Sequence, residues 1–151
     1  MSADYITPNM EEWVEKFTFE SYCKVRVCET DLYAHVNNTS YGPYFEQGRA
    51  DYLEELGFYK EKLMFVVGDL YFRFHSEAYA REELVIKVRT SRFGTKSFTM
   101  ESVIQRKATG DVIATNWTTL IIMDSETKKS IVIPEWVKQR IQDYEKTLQL
   151  S

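Results

Sequence analysis

The stretch Thr30-Asp31-Leu32-Tyr33-Ala34-His35-Val36-Asn37-Asn38-Thr39-Ser40-Tyr41, running on through Tyr44-Phe45-Glu46 to Arg49, organises the whole chain. Its first part is a polar connection. Asn38, Thr39 or Ser40 can each cap the helix that follows. Beyond the cap, Tyr41, Tyr44, Phe45, Tyr52, Leu53 and Leu56 fall on one face at a period of 3.6. The missing central member of that face is Gly48. A glycine inside a helix costs ~1 kcal/mol relative to alanine, so its placement predicts a very close neighbour, most simply a sheet curving round the helix. Pro43 is expected in the first turn, where backbone N–H groups lack helical partners. Gly57 suits the position just past the helix end, with Phe58 as its apolar follower.

Outward from this helix the pattern changes to strands. Phe17 to Cys28 alternates in part and reads as one strand, with residues 1–16 as an N-terminal extension. Four more strands are predicted after the helix: Met64–Phe74, Glu83–Arg92, Lys96–Lys107 and Val112–Met123, the last apolar on both faces and therefore central. Short turns around Gly94 and Gly110 make the later strands antiparallel hairpins. Pro134 opens a final helix over Glu135 to about Leu148. The order is strand, helix, four strands, helix. That is an α+β fold, with one domain over 17–151 and an antiparallel sheet of about five strands wrapped round a long central helix.

The bulk properties agree and exclude other classes. The chain has 151 residues, 44% hydrophobic and 28% charged, with 6 Gly and 3 Pro. That is enough to bury roughly 68–70% of the unfolded surface in one core. The longest apolar runs, such as residues 63–67, are strand-sized, so no membrane span is expected. The first dozen residues carry acids and no Lys or Arg, unlike a secretory signal. Cys23 and Cys28 would lie roughly 16 Å apart along a strand, too far for a disulfide, and the cytoplasm is the default compartment. The net charge of −4 does not advertise nucleic acid. Residues 81–107 nevertheless hold seven bases against three acids. Such a strip suits a small phosphorylated ligand, or is simply a set of solvated strand faces.

Most catalytic motifs are missing. His35 and His75 are the only histidines and have no metal-ligand spacing, so no metal site is expected. There is no G-x-S-x-G elbow and no glycine-rich phosphate loop. The quoted stretch, however, resembles the hot-dog-fold acyl-CoA thioesterases related to 4-hydroxybenzoyl-CoA thioesterase. Their pattern is T-D-x-x-G-H-V-N-N-x-x-Y, an aromatic-Glu pair, an Arg and a Leu-Gly helix end, and the likeness covers about residues 17–145. Ala34 stands where the family usually has glycine, a place where a left-handed backbone would favour glycine. Glu77-Ala78 and Arg81-Glu82-Glu83 stand where Pro-Ala and Gly-Asp pairs are usual.

A thioester's leaving group is a thiolate whose acid has a pKa near ~8.5, so it departs with little help. The enzyme needs a carboxylate, acting as base toward water or as nucleophile, and donors for the oxyanion, which a helix N-terminus supplies. The resemblance implies that Asp31 is that carboxylate and that the N–H of Asn38 polarises the carbonyl. His35 either shapes the loop by a structural hydrogen bond or contacts the thioester or its water. Tyr41, Tyr44 and Phe45 are core residues that would also border the acyl group. Glu46 and Arg49 most simply pair on the helix surface, with Glu46 a second candidate acid. By the same likeness, Arg92, Lys96 and Ser97 contact coenzyme A phosphates.

No cofactor is expected beyond coenzyme A as part of the substrate. Because relatives join two sheets edge to edge, a homodimer or homotetramer is expected. The alternatives are a non-catalytic acyl-CoA-binding protein of the same fold, or a thioesterase acting on acyl carrier protein.

Overall fold

A computed structural model describes residues 5–145. The elements are α1 (Met10–Val14), β1 (Phe19–Lys24), α2 (Asn38–Glu55), β2 (Leu63–Phe74), β3 (Glu83–Phe93), β4 (Ser97–Arg106), β5 (Val112–Asp124) and α3 (Glu135–Tyr144). The five strands form one antiparallel sheet in the order β1-β3-β4-β5-β2. This is the hot-dog architecture expected from the pattern. β5 is an interior strand as anticipated, and β4 is the middle one. Residues beyond Glu145, to which the last helix was expected to extend, lie outside the described ones.

The central helix buries Tyr41, Tyr44, Phe45, Gly48, Arg49, Tyr52 and Leu53, a continuous stripe at helical spacing. Gly48 has the predicted close neighbour. A Cβ there would sit 2.5 Å from Cγ2 of Ile86 and 3.2 Å from Cγ2 of Val88, both on β3. Gly57 closes the helix at φ 76.

Three expectations need correcting. The helix starts earlier than expected, because Asn37 is its cap and Asn38 its first residue. Pro43 therefore falls in the second turn, and the Thr39 carbonyl has no N–H four residues on. The first strand ends at Lys24, because Arg26 and Glu29 bond to each other around a 3-10 turn over Val27–Glu29. The N-terminal segment is also more than an appendage. Trp13 is fully buried on the outer face of the sheet, and its indole N–H donates to Glu101 Oε1 at 2.7 Å. Tyr5 reaches Thr115 Oγ1 at 3.2 Å.

Charge is buried around β3. Arg89 pairs with Glu101 at 3.1 Å, both buried. Nearby, the carboxylate of Glu145 is 3% exposed. It accepts the Tyr52 hydroxyl at 3.0 Å and the Thr90 N–H, while its Oε1 has no partner. Burial pushes its pKa up to about 7 from 4.5, with Glu101 adding to the rise and the Thr90, Tyr52 and Arg89 contacts opposing it. A carboxyl whose folded pKa is raised binds a proton in the folded state that the unfolded chain has already released. Its contribution is therefore favourable below pH about 4.5 and is lost as pH rises toward about 7, by an amount on the order of 3 kcal/mol. Glu145→Gln should remove that loss. Melts followed by circular dichroism should give a variant that gains on the native protein between pH 5 and pH 8; equal gaps at both pH values would contradict the assignment.

Candidate active site

The polar connection ahead of α2 is tied down at Glu29. The Glu29 carbonyl accepts the Asn37 N–H at 2.9 Å and the Ser40 hydroxyl at 3.3 Å. Its carboxylate accepts the Tyr44 hydroxyl at 2.9 Å. Burial and this carboxylate hold the Tyr44 phenol protonated, well above its usual range. From this post the chain makes one tight excursion. Asp31 Oδ1 accepts the N–H of Tyr33 at 2.8 Å and of His35 at 3.1 Å, and the Asp31 N–H donates to the His35 carbonyl at 2.8 Å. The turn requires Ala34 at φ 62. The left-handed conformation that suits glycine is thus kept with an alanine.

The turn is docked against the segment that follows β2. Val36 N–H donates to the Ala78 carbonyl at 2.8 Å, Ala80 N–H donates to the Ala34 carbonyl at 3.0 Å, and His35 bridges to Tyr79. Between the two segments lies a cavity of about 490 Å³, lined by residues including Asp31, His35, Asn38, Tyr41, His75 and Glu77. Asp31 Oδ1 is committed to the turn, while Oδ2 has no partner among the described residues. Asn37 Oδ1 caps α2 by accepting the Thr39 N–H at 3.1 Å. The N–H of Asn38, at the first helical position, has no intrahelical acceptor. Asp31, with its unengaged carboxylate oxygen, and Asn38, with its free helix N–H, therefore border one space. Tyr41 contributes its edge, and its hydroxyl accepts the Ala78 N–H at 3.3 Å.

Two polar groups from the far wall were not picked out in the sequence. His35 Nδ1 lies 3.2 Å from Glu77 Oε2. His75 Nε2 lies 3.0 Å from Thr115 Oγ1, and burial followed by the charge of Arg73 depresses its pKa, keeping it neutral. No local pattern marks them. Only the pairing of residues 34–36 with 78–80 carries Glu77 to His35.

Other expected site residues are elsewhere. Phe45 is fully buried and stacks on Phe72 at 5.5 Å, and Tyr44 points at Glu29; neither lines this cavity. Arg49 does not pair with Glu46 on the surface. It is 6% exposed and donates to Asn116 Oδ1 at 3.1 Å, because offset 8 from Tyr41 lies on the buried stripe. Glu46 is exposed at the rim of a second cavity of about 410 Å³, between α2 and β2. Arg92 lies at the end of β3, Lys96 in the β3–β4 turn and Ser97 at the start of β4. That turn adjoins the start of β2, whereas the Asp31 cavity adjoins its end, and twelve residues of strand span roughly 36 Å. The basic strip also shrinks. Arg89 pairs with Glu101, Arg106 with Glu82 and Asp111, and Lys107 with Glu83. Among the described residues there is no cluster of three or more metal-binding side chains, and no helix is long and apolar enough to cross a membrane.

Residues 25–141 match the model of the thioesterase-like superfamily. The chain belongs to that superfamily. The long-chain acyl-CoA thioesterase FadM of Escherichia coli is 25% identical over 127 residues, 82% of this chain and 96% of that protein. The uncharacterized protein YsmA of Bacillus subtilis is 30% identical over 129 residues, 84% of this chain and 87% of that one. Among solved structures, a thioesterase of Thermus thermophilus complexed with coenzyme A and zinc superposes with a TM-score of 0.77 at 26% identity, covering 87% of this chain and 97% of that one. Thioester hydrolysis is the activity that goes with this membership.

The strained alanine gives a test of the loop. Replacing a left-handed alanine relieves about 1–2 kcal/mol, against an unfolded-state entropy cost of about 0.4–1 kcal/mol. Ala34→Gly should therefore leave the unfolding free energy in urea unchanged or higher. A fall of more than about 1 kcal/mol would mean the turn is not left-handed.

Proposed function

We propose that this protein hydrolyses an acyl-CoA thioester to the free acid and coenzyme A, with Asp31 as the carboxylate that acts on water or on the carbonyl. The observation that carries the reading is the shared cavity. It is lined by both Asp31, whose Oδ2 is unengaged among the described residues, and Asn38, the first residue of α2. In the water route, the water oxygen bonds to the acyl carbon while its proton passes to Asp31. The carbonyl oxygen gathers charge opposite the Asn38 N–H and the positive end of the helix. The C–S bond then breaks, and the thiolate takes the proton back. In the nucleophile route Oδ2 bonds the acyl carbon, the C–S bond breaks and the thiolate leaves. Water then opens the resulting anhydride to the free acid, its remaining proton neutralises the thiolate, and the Asp31 carboxylate is restored. Coenzyme A as carrier draws support from the names of FadM and of the Thermus enzyme.

The working unit in this reading is at least a homodimer. β2 is an edge strand of twelve residues with Val66, Val67, Leu70 and Phe74 between 38% and 47% exposed, and a long apolar edge invites pairing. Antiparallel pairing of two such edges brings the start of one β2 beside the end of the other. It therefore carries the β3–β4 turn of one subunit toward the cavity of its partner. β4 lies two strands in from that edge, about 10 Å. Arg92, Lys96 and Ser97 would then meet the phosphates of a coenzyme A whose thioester lies in the other subunit's cavity.

Asp31→Asn isolates the charge, because the amide oxygen still accepts the two turn N–H groups. Release of free thiol from acyl-CoA should fall about 10²- to 10⁴-fold with an unchanged circular dichroism spectrum; turnover within a factor of two of native would remove Asp31 from the mechanism. Light scattering should give the mass of two or four chains, and a monomer at working concentration would defeat the shared-site arrangement.

A further inference from the structure

The Glu77–His35 contact is a feature of the cavity that neither the turn nor the helix start requires. His35 is already fixed through its backbone, by the Asp31 bonds on one side and the bridge to Tyr79 on the other. Its ring packs edge-on against Tyr79 at 5.0 Å. Glu77 is fixed independently. Its carbonyl accepts the Arg106 guanidinium, which also holds Glu82 and Asp111. The two side chains then meet at Nδ1 and Oε2, 3.2 Å apart. Nε2 has no partner among the described residues, in a ring that lines the cavity.

We propose that Glu77 is a positioning residue that fixes His35 as the Nδ1–H tautomer, so that Nε2 presents a lone pair to the attacking water. The inference rests on the hydrolase reading of this cavity and deepens it. A carboxylate 3.2 Å from Nδ1 can only accept, so it favours the ring that carries its proton on Nδ1. Nε2 is left as an acceptor. Asp31, with Oδ2 unengaged among the described residues, supplies a second acceptor from the same lining. A water has two protons; one can bond Nε2 while the other passes to Asp31 as the oxygen attacks. His35 orients that water without a net change in its own protonation, and the proton balance of the hydrolysis is unaltered. His75 does not compete for this role, because its Nε2 is engaged by Thr115.

With two histidines in the chain, the test is direct. Nitrogen-15 spectra of the ring-labelled protein, in mildly alkaline solution, report which nitrogen of each neutral ring carries the proton, and His35→Gln assigns the signals. Native His35 should show a protonated Nδ1 and a bare Nε2, and Glu77→Ala should move the proton to Nε2. Glu77 is exposed, so that variant should keep its fold. Its kcat toward acyl-CoA should fall at least about tenfold, as when an orienting carboxylate is lost, with KM unchanged. In the His35→Gln background the same substitution should add nothing. A native Nε2–H tautomer, a spectrum unmoved by Glu77→Ala, an unchanged kcat, or full additivity of the two substitutions each overturns the proposal. The spectrum needs no substrate, so a protein that hydrolyses no thioester would refute the hydrolase reading without deciding the tautomer.

Discussion

Ile86 occupies the space that a side chain on residue 48 would take. That contact sets how closely the sheet can wrap α2, and the remaining geometry follows from it. With β3 pressed against the middle of the helix, the N-terminus of α2 comes out at the end of the sheet where β2 stops and β3 begins. The 74–80 connection must pass there, and the 30–37 connection must enter there. The two irregular segments therefore pair with each other, and their unsatisfied polar groups face one gap. The site is a consequence of where a curved sheet leaves the end of its helix uncovered.

This explains what was legible in the sequence. The helix, the order of elements along the chain and the close approach at Gly48 are periodic or local signals, and they appear in the structure nearly as read. Asp31 could be placed ahead of a helix start because both belong to one short stretch. Glu77 could not be linked to His35, because nothing within forty residues of sequence encodes a pairing made by tertiary folding. Arg49 was misread for a different reason. Its position belongs to the buried stripe, but its charge argued for the surface. The Asn116 side chain, on the fourth strand after the helix, supplies the acceptor that lets the guanidinium stay inside.

Charge counted along the chain misled in the same way. The basic excess over residues 81–107 suggested a phosphate-binding strip, yet Arg106 holds the loop behind Glu77 and Arg89 serves the buried cluster on the outer face. In that cluster, among the described residues, one guanidinium faces Glu101 and Glu145. A single cation cannot hold two buried carboxylates ionised at once. Glu101 has the direct pair and the indole donor, so Glu145 is the one driven toward the neutral form. The N-terminal segment is what makes this matter, because Trp13 seals the Arg89–Glu101 pair from water.

On the proposed reading, the open edge of β2 and the half-open cavity have one solution. A single chain exposes Asp31 and leaves its proposed phosphate contacts at the opposite end of β2. Hydrolysis in a half-open space would let bulk water screen the helix end that should stabilise the oxyanion. A second sheet laid antiparallel along β2 would cover the apolar edge, narrow both cavities and carry the distant turn to the partner's thioester. In that arrangement residues from the two ends of one chain never serve the same substrate. The apolar edge would then have a catalytic consequence, since the association that hides it also completes both sites.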